Sequence, residues 1–428
     1  MKLELGNINI NDVQFGEETA VNGGLLTINK DEFIAAISDD PNILSVEVDI
    51  ARPGESVRLI PCKDVIEPRV KVDGPGGIFP GVLADETIVG SGRTHVLKGV
   101  AVVTVGRVLG FQEGVLDMSG PGARYTPYSS TINVAVNPEL TEGLEKHHHE
   151  EILRMMGLKA AVYLGEVGRD VEPDEIVTYD HKPLIDAVNE YPDLPRVGYV
   201  YLLQSQGLLH DTWVYGVDAK NILPTLISPT EVMDGALVSG NCVAASDKVS
   251  TFIHQNNPII EDLYREHGKS VNFVGVIIAN ENVVLADKIR SSNYTAELAA
   301  RMGWQGAIIS EEGYGNPDTD LMMHCDKLEG KGIKLVIVTD EYPGRDGASQ
   351  SFADVTDNAD ALVSVGNGNP LVTLPPMEKV IGHAESMNTI VGGFDGALKE
   401  DGTMITEIQG IMGATSGVGI TRMSARAY

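Results

Sequence analysis

The sequence predicts an α/β protein: a β-rich N-terminal region is followed by α/β structure, and the C-terminal half holds a mainly parallel sheet with helices on both faces. Three observations lead to this prediction. The 428 residues are 43% hydrophobic and 22% charged, which suits two or three folded domains and excludes wholesale disorder. Strand-like patterns dominate the first seventy or so residues. Past Cys242, continuous apolar runs alternate with helical periodicity.

The N-terminal region reads mostly as strands. Residues 45–50 and 56–60 are strand-like and flank a Pro-Gly turn, and Asn22-Gly23-Gly24 is a hairpin signal. One short helix is predicted over residues 30–37. We therefore expect a β-rich domain over residues 1–75.

A glycine- and proline-rich stretch, residues 74–81, marks the start of a second region. The patterns beyond it predict helices over 138–156 and 183–189 and strands over 99–105, 131–136, 160–164 and 196–203. Because strands now alternate with helices, residues 76–241 are predicted to be α/β.

The alternation becomes regular after Cys242, so residues 242–428 are predicted to form a doubly wound α/β domain. Its predicted helices cover 257–267, 291–302 and 317–328, and its predicted strands cover 271–279, 305–309, 334–338 and 361–365. Ligands on such sheets bind beyond the carboxyl ends of the strands. The loops expected there, 280–282, 310–315, 339–342 and 366–369, are rich in carboxylates and amides.

Charge and cysteine content exclude several classes of function. The net charge is −29, and acidic residues outnumber basic ones on both sides of residue 241, which argues against binding nucleic acid or an anionic membrane. No run approaches membrane-spanning length, and the N-terminus lacks the apolar core of a signal peptide. The three cysteines are far apart and odd in number, so no disulfide framework is expected and a cytoplasmic location is the default.

Three local motifs have structural explanations that outweigh the functional ones. The run His147-His148-His149 lacks a second histidine four residues on and falls in the first turns of a predicted helix, so we expect a solvated helix start and no metal site. Cys325 is expected to be a buried core thiol. The glycine-rich segment 413–419 resembles a dinucleotide-binding loop, but too few residues follow it, and a flexible turn or interface segment is expected.

The segment 234–247 carries the most specific signal. A short apolar strand is predicted to run into Gly240, Asn241 and Cys242. A thiol at this position can attack the preceding Asn241 carbonyl; acyl transfer to sulfur and elimination then cut the chain and leave a pyruvoyl group in place of Cys242. On spacing alone, an inert buried cysteine is the commoner outcome.

The sequence from Gly240 to Asp247, placed just past the middle of the chain, resembles the processing site of the glycine reductase component B proproteins, which belong to the pyruvoyl-dependent glycine/sarcosine/betaine reductases. The resemblance extends over the whole chain. It implies cleavage between Asn241 and Cys242, giving a beta chain of residues 1–241 and an alpha chain of residues 242–428 that begins with the pyruvoyl group.

The resemblance also implies an activity and partners. The pyruvoyl carbonyl derived from Cys242 forms a Schiff base with glycine, and reductive deamination yields acetyl phosphate and ammonia in amino-acid fermentation. The implied partners are a selenocysteine-containing gamma subunit of component B, the small selenoprotein A and the acetyl-phosphate-forming component C, in a hetero-oligomer. This sequence offers no thiol pair for the redox step, which agrees with a need for partners.

Supporting roles remain open at this level. Gly240 is expected to permit the cleavage geometry, His254 is a candidate proton shuttle, and Lys248 and Arg290 are candidate partners of a substrate carboxylate. Each of these last three residues is at least as commonly structural or a surface charge. The alternatives for the whole chain are a sarcosine, betaine or D-proline reductase paralogue, a pyruvoyl amino-acid decarboxylase, and an unprocessed structural or small-molecule-binding α/β subunit.

Overall fold

The computed structural model describes residues 1–240, 243–420 and 424–427, and within them the protein is mixed α/β, as predicted. Asn241 and Cys242 lie outside the described residues. The described strands, in chain order, are β1 (Lys2–Asn9), β2 (Asp12–Phe15), β3 (Ala20–Asn22), β4 (Leu25–Ile28), β5 (Ile43–Ala51), β6 (Val57–Ile66), β7 (Arg69–Asp73), β8 (Gly92–Lys98), β9 (Val100–Val105), β10 (Gly114–Asp117), β11 (Ile132–Leu140), β12 (Glu175–Asp180), β13 (Arg196–Leu203), β14 (Trp213–Val214), β15 (Val217–Asp218), β16 (Thr225–Ile227), β17 (Leu237–Val238), β18 (Asn272–Asn280), β19 (Gly306–Ser310), β20 (Lys334–Glu341), β21 (Ala361–Asn367), β22 (Leu371–Leu374), β23 (Lys379–Gly382), β24 (Met404–Glu407) and β25 (Ser424–Ala427).

In chain order, the described α-helices are α1 (Lys30–Ile37), α2 (Gly120–Ala123), α3 (Lys146–Glu166), α4 (Leu184–Glu190), α5 (Pro229–Glu231), α6 (Thr251–Gln255), α7 (Pro258–Glu266), α8 (Leu285–Arg301) and α9 (Asn316–Glu329). The longest of them are α3, with 21 residues, and α8, with 17 residues. None of the described helices combines the length and apolar character needed to cross a bilayer.

The N-terminal strands form two main sheets. One has the strand order β12-β1-β8-β7, and the other has the order β10-β6-β9-β11-β5, with β23 paired to β6. Both sheets cross the predicted boundary at residue 75, because β8 pairs with β1 and β7 while β9 pairs with β6. Residues 12–28 form a small separate sheet of order β2-β4-β3, but β1, β5, β6 and β7 pair with strands beyond residue 75. The three predicted domain ranges remain predictions as folding units.

A seven-stranded sheet forms the second half of the molecule, with the order β16-β18-β13-β19-β20-β21-β25. Its five central strands are parallel, and the two edge strands run antiparallel. Successive residues of β13 face opposite sides: Tyr201 packs in one core cluster with Leu263 of α7, and Leu202 packs in another with Leu321 of α9. The predicted parallel sheet with helices on both faces is confirmed.

Two sequence predictions in the middle region are wrong. The predicted strand at residues 160–164 is part of α3, and the predicted helix at 138–156 begins only at Lys146, because β11 continues to Leu140. The run Ala160-Ala-Val-Tyr-Leu164 is apolar because this part of α3 is largely buried against the N-terminal sheets. A short apolar run does not distinguish a buried helix from a buried strand.

The strand predicted to begin at Asp234 is also shorter than expected. Residues Val232–Ala236 form a π-helical turn in which Gly235 has φ of 90°, and only Leu237–Val238 pair as a strand, β17. A π-helical turn with a left-handed glycine produces no periodic hydrophobic pattern, so the sequence gives no sign of it.

Candidate functional site

The carboxyl ends of four parallel strands, β13, β18, β19 and β20, meet at one edge of the seven-stranded sheet. Their loops are bonded to one another. The Glu312 amide donates to Oε1 of Glu281 at 2.8 Å, and Gln204 Nε2 donates to the Glu312 carbonyl at 3.2 Å. The Gly368 amide, after β21, donates to the carbonyl of Glu341 at 3.0 Å. The loops expected beyond the carboxyl ends of these strands therefore lie at one edge of the sheet.

The segment that precedes Asn241 is anchored to the N-terminal sheets through Asp234. This carboxylate is fully buried, forms an ion pair with Lys71 and accepts hydrogen bonds from Thr94 Oγ1 at 2.5 Å and the Gly90 amide at 2.8 Å. Three donors on one buried carboxylate hold it in a single position. The chain leading to residue 240 is therefore fixed by residues of β7, β8 and the loop before β8.

Gly240 occupies a space with no room for a side chain. A Cβ atom at this position would lie 2.2 Å from the carbonyl carbon and 2.3 Å from the carbonyl oxygen of Asp211. The preceding Ser239 amide donates to Thr251 Oγ1 at 3.0 Å. The backbone on the N-terminal side of the predicted cleavage site is thus closely packed.

The segment that follows Cys242 packs against the glycine-rich segment 413–419. Gly413 donates its amide to the Ala245 carbonyl at 2.8 Å, and Thr415 donates its amide to the Ser246 carbonyl at 3.0 Å. The segment 413–419 forms turns but is buried throughout, so it is an interior packing partner of residues 245–246 and not a flexible surface turn. It closes the edge of the sheet where the four loops meet.

A cleft of about 190 Å³ opens beside Val243, the residue that follows Cys242 in the chain. Its walls come from the loops after β13 and β19, the start of α9 and the segment 243–247. One further residue comes from the loop between β9 and β10, and another from the segment between β23 and β24. The lining residues are Phe111, Gln204, Gln206, Val243, Ala244, Asp247, Gly313, Tyr314, Asn316, Pro317 and Val391. No lysine or arginine lines it among the described residues, and its volume suits a small polar ligand.

Asp247 is the buried charged group in the wall of this cleft. It is 1% exposed, and its Oδ1 accepts hydrogen bonds from Ser246 Oγ at 2.7 Å and from the Tyr342 hydroxyl. Its Oδ2 receives no hydrogen bond from an N–H or hydroxyl donor of the described residues. The carboxyl of Asp340 lies within hydrogen-bond reach of Asp247 and accepts from Thr415 Oγ1 at 2.7 Å.

Burial and mutual repulsion determine the protonation of this carboxyl pair. Burial raises the pKa of Asp340 well above its ordinary value, and the negative charge of Asp247 raises it further. Burial also raises the pKa of Asp247, but hydrogen bonds from Asp340, Tyr342, Ser246 and Thr415 favour its charged form. Of the two carboxyls, Asp340 therefore has the stronger tendency to bind a proton.

Further buried acids surround the pair. Burial raises the pKa of Glu312 to about 7, and it raises those of Glu281 and Glu311 well above the ordinary range. Burial raises the pKa of Asp318 and of Asp320 to about 6. In the described part of the chain, no group of three or more His, Cys, Asp or Glu side chains is arranged to hold a metal ion. These carboxyls are groups that can store and move protons near neutral pH.

The structure places the predicted supporting residues as follows. His254 is fully buried, Tyr201 is 2.7 Å from its Nδ1, and burial lowers its pKa to about 3. Lys248 is buried, donates to the Lys63 carbonyl at 2.7 Å, and has a pKa lowered by burial. Arg290 lies on the exposed side of α8 and pairs with Asp287 at 2.5 Å. None of the three lines the cleft.

The histidine run begins α3, as predicted. His147 and His148 are about half exposed and contact Glu145 and Asp40, at 3.0 and 3.5 Å. Cys325 is buried in the core that α8 and α9 form against the sheet, as expected.

Sequence reasoning missed Asp247, Asp340 and Thr415 as one site. The carboxylate-rich loops at strand ends were a signal for Asp340. Asp247 and Thr415 lie 168 residues apart and meet only through the tertiary fold, at 3.3 Å between Thr415 Oγ1 and Asp247 Oδ1.

A cleft at the carboxyl edge of a parallel sheet is where such folds commonly bind small molecules, and here buried carboxyl groups lie close to it. Comparison with known families is specific. The family model of the glycine/sarcosine/betaine reductase component B subunits matches residues 1–426 of this sequence. The chain therefore belongs to this family of amino-acid reductases.

Curated relatives match over the full length. The chain is 61% identical to the glycine reductase complex component B subunits alpha and beta of Peptoclostridium acidaminophilum, covering all of both chains. It is 57% identical to the sarcosine reductase complex component B subunit alpha of the same organism, again over both whole chains. It is 44% identical to the betaine reductase complex component B subunit alpha, over 95% of each chain. No solved structure matches.

Proposed function

We propose that this chain is the precursor of the substrate-binding subunits of a glycine reductase and that it cleaves itself between Asn241 and Cys242. The observation that carries the proposal is the 61% identity over the whole length to a protein named as glycine reductase component B subunits alpha and beta. The cleft beside Val243 supports it, because a small polar ligand bound there would contact the residue that follows Cys242 in the chain.

The described residues adjacent in the sequence to the predicted cleavage point are compatible with a pyruvoyl group there. Gly240 and Val243, on either side of the Asn241-Cys242 pair in the sequence, are buried, and Asp247 lines the cleft beside Val243. Gln204, Asp247 and the loop at Gly313 would hold the group and its ligand. Such a ketone would condense with the amine of glycine and so draw electrons from the bond between the substrate's Cα and nitrogen.

The residues of this chain would perform the binding and proton work around that group. The buried turns of segment 413–419 pack behind residues 245–246, where they would help to keep water out. Tyr314 lines the cleft, and its ring stacks on that of Tyr342 with 3.7 Å between centroids. The carboxyl groups of Asp247 and Asp340 hold a proton close to the cleft. Exclusion of water strengthens each of these electrostatic interactions.

The redox step requires partners. Cys62 and Cys325 are both buried, and burial raises the pKa of each thiol. Neither is suited to attack a substrate in the cleft. We propose that a selenocysteine-containing gamma subunit, selenoprotein A and the acetyl-phosphate-forming component C supply the reductive chemistry, in a hetero-oligomer in the reducing cytoplasm.

Intact-mass measurement of the purified protein tests the cleavage. We expect two fragments, residues 1–241 and 242–428, with the second lacking an Edman-reactive amine. Cys242→Ala should fold normally and remain a single chain. A wild-type chain that stays whole with a free thiol, both alone and after incubation with its partner proteins, would overturn the proposal.

The 57% identity to a sarcosine reductase subunit makes sarcosine the second candidate substrate. Reconstituted complex assayed with glycine, sarcosine, betaine and D-proline in turn separates the candidates. We expect glycine to give the highest kcat/KM, and a preference for sarcosine would assign the chain to that paralogue.

A further inference from the structure

A hydrogen bond between buried residues joins the two predicted products close to the predicted cleavage point. The Ser239 amide, two residues before Asn241, donates to Thr251 Oγ1 at 3.0 Å. Both residues are buried. The bond closes a loop of chain that contains the peptide bond between residues 241 and 242. A hydroxyl of the second predicted product therefore holds the chain of the first product just before the predicted cut.

Asp64, in β6, fixes the orientation of the Thr251 hydroxyl. Thr251 donates its hydroxyl hydrogen to Asp64 Oδ2 at 2.6 Å and its amide to Asp64 Oδ1 at 3.0 Å. The Val65 amide donates to the same Oδ1 at 2.9 Å. A hydroxyl has one hydrogen, so its donation to Asp64 leaves only lone pairs to face the Ser239 amide. Thr251 is thus an acceptor held in a fixed position.

The chain is also anchored after the predicted cut. The Ser246 amide donates to the Gln409 carbonyl at 3.2 Å, and the Thr415 amide donates to the Ser246 carbonyl at 3.0 Å. The short segment 240–245 lies between this anchor and Ser239, and it contains the predicted cleavage point. Because both ends of the segment are held by hydrogen bonds to buried groups, few arrangements are open to the chain between them.

We infer that Thr251, oriented by Asp64, is a positioning residue for the self-cleavage. This inference rests on the proposed function, because it assigns a role in the proposed cleavage. In the first step, the Cys242 sulfur bonds to the Asn241 carbonyl carbon, the bond from that carbon to the Cys242 nitrogen breaks, and the nitrogen takes the thiol proton. Thr251 acts through Ser239: it raises the fraction of molecules in which the thiol can reach the carbonyl.

The test is the time course of fragment formation, read by intact mass in full-length chains that retain Cys242. Thr251→Val keeps the shape of the side chain but removes the donor to Asp64 and the acceptor for Ser239. We expect cleavage to slow about 10-fold, which corresponds to the loss of one buried hydrogen bond. Thr251→Ser keeps the hydroxyl and should cleave close to the wild-type rate.

A second variant reverses the middle of this hydrogen-bonded chain without removing a hydroxyl. In Asp64→Asn, the two amides that donate to Oδ1 require the side-chain oxygen to stay there, so the new NH₂ group faces Thr251. The Thr251 hydroxyl then accepts from residue 64 and turns its hydrogen toward the Ser239 amide. Cleavage should slow in this variant as well.

Thr295→Val is the matched control. It removes another fully buried hydroxyl, which lies 3.2 Å from Nε2 of His324 in the region where α8 meets α9. It should cleave at the wild-type rate. Thermal midpoints of the same substitutions in the uncleaved Cys242→Ala chain separate positioning from stability: we expect both valine variants to lower the midpoint, whereas only Thr251→Val slows cleavage.

Three results would overturn the inference. They are wild-type cleavage rates in folded Thr251→Val or Asp64→Asn, a Thr251→Ser chain as slow as Thr251→Val, and equal slowing by Thr295→Val. In each case the wild-type chain still cleaves, so the proposed function stands. A wild-type chain that stays whole, both alone and with its partner proteins, would instead overturn the proposed function and this assignment with it.

Discussion

Replacing Gly240 by alanine tests whether close packing before Asn241 prepares the chain for cleavage. The added Cβ would lie 2.2 Å from the carbonyl carbon of Asp211, a contact that requires the backbone of one segment to move. Overpacking of this kind costs about 1–3 kcal/mol. If the cleavage-competent geometry is the packed one, a cost of about 2 kcal/mol corresponds to a roughly 30-fold slower cleavage rate.

The assay is the time course of fragment formation by intact mass, together with the thermal midpoint of the uncleaved Cys242→Ala chain carrying the same substitution. Gly306→Ala is the control, because a Cβ there meets its neighbours only at ordinary contact distances of 3.5 Å. We expect slower cleavage and a lower midpoint for Gly240→Ala alone. Cleavage at the wild-type rate with an unchanged midpoint would refute the argument that Asp211 confines residue 240.

Three further predictions concern stability and assembly. Arg58→Met leaves the Asp117 carboxylate buried without the guanidinium that contacts it at 2.6 and 2.8 Å. It should lower the free energy of unfolding, measured in denaturant titrations, by about 3–5 kcal/mol. Arg265→Met, which breaks an exposed ion pair with Asp262, should change the free energy of unfolding little. Burial raises the pKa of Glu312 from 4.5 to about 7. The contribution of its protonated form to stability is therefore full below pH 4.5 and is lost as the pH rises through 7. Glu312→Gln should remove on the order of 3 kcal/mol of that pH dependence, measured in thermal melts between pH 5 and 8. After cleavage, the two fragments should co-elute in size-exclusion chromatography and separate only in denaturant; separation in native buffer would contradict the strand order of the seven-stranded sheet.

The regular α/β part of the fold was predictable because each element has a clear period. Observed strand β13 has the predicted bounds, and α7, β18, β19 and α9 agree within one or two residues. Prediction failed where local pattern and tertiary context diverge. The run at 160–164 is part of helix α3, and it is continuously apolar because α3 is buried against two sheets, so its pattern resembled that of a buried strand. Pairing of β8 with β1, across some ninety residues, leaves no trace in the sequence.

The candidate site was predictable in its position but not in its membership. Strand-end loops gave the edge of the sheet, and the Gly240-Asn241-Cys242 motif gave the predicted cleavage point, which lies outside the described residues. The residues chosen for support came from sequence proximity to that point. His254 and Lys248 instead point into the protein interior, and Asp247, one residue before Lys248, lines the cleft. Asp247 and Lys248 differ in position because Asp247 bonds to Thr415, in segment 413–419, whereas Lys248 bonds to the Lys63 carbonyl.

The sheet order explains why cleavage in the middle of the chain is compatible with a stable site. Strand β13 precedes the predicted cleavage point, yet it pairs with β18 on one side and β19 on the other, both of which follow it. Strand β23, from the second half, pairs with β6 in the first. Each predicted product therefore contributes strands to a sheet of the other, and the hydrogen-bonded ladders persist when one peptide bond is cut. The cleft takes walls from both products as well, Gln204 from the first and Asp247 from the second, so the site exists only while the two remain together. In the proposed cleavage, a single precursor chain would allow these strands to pair before the bond between residues 241 and 242 is broken.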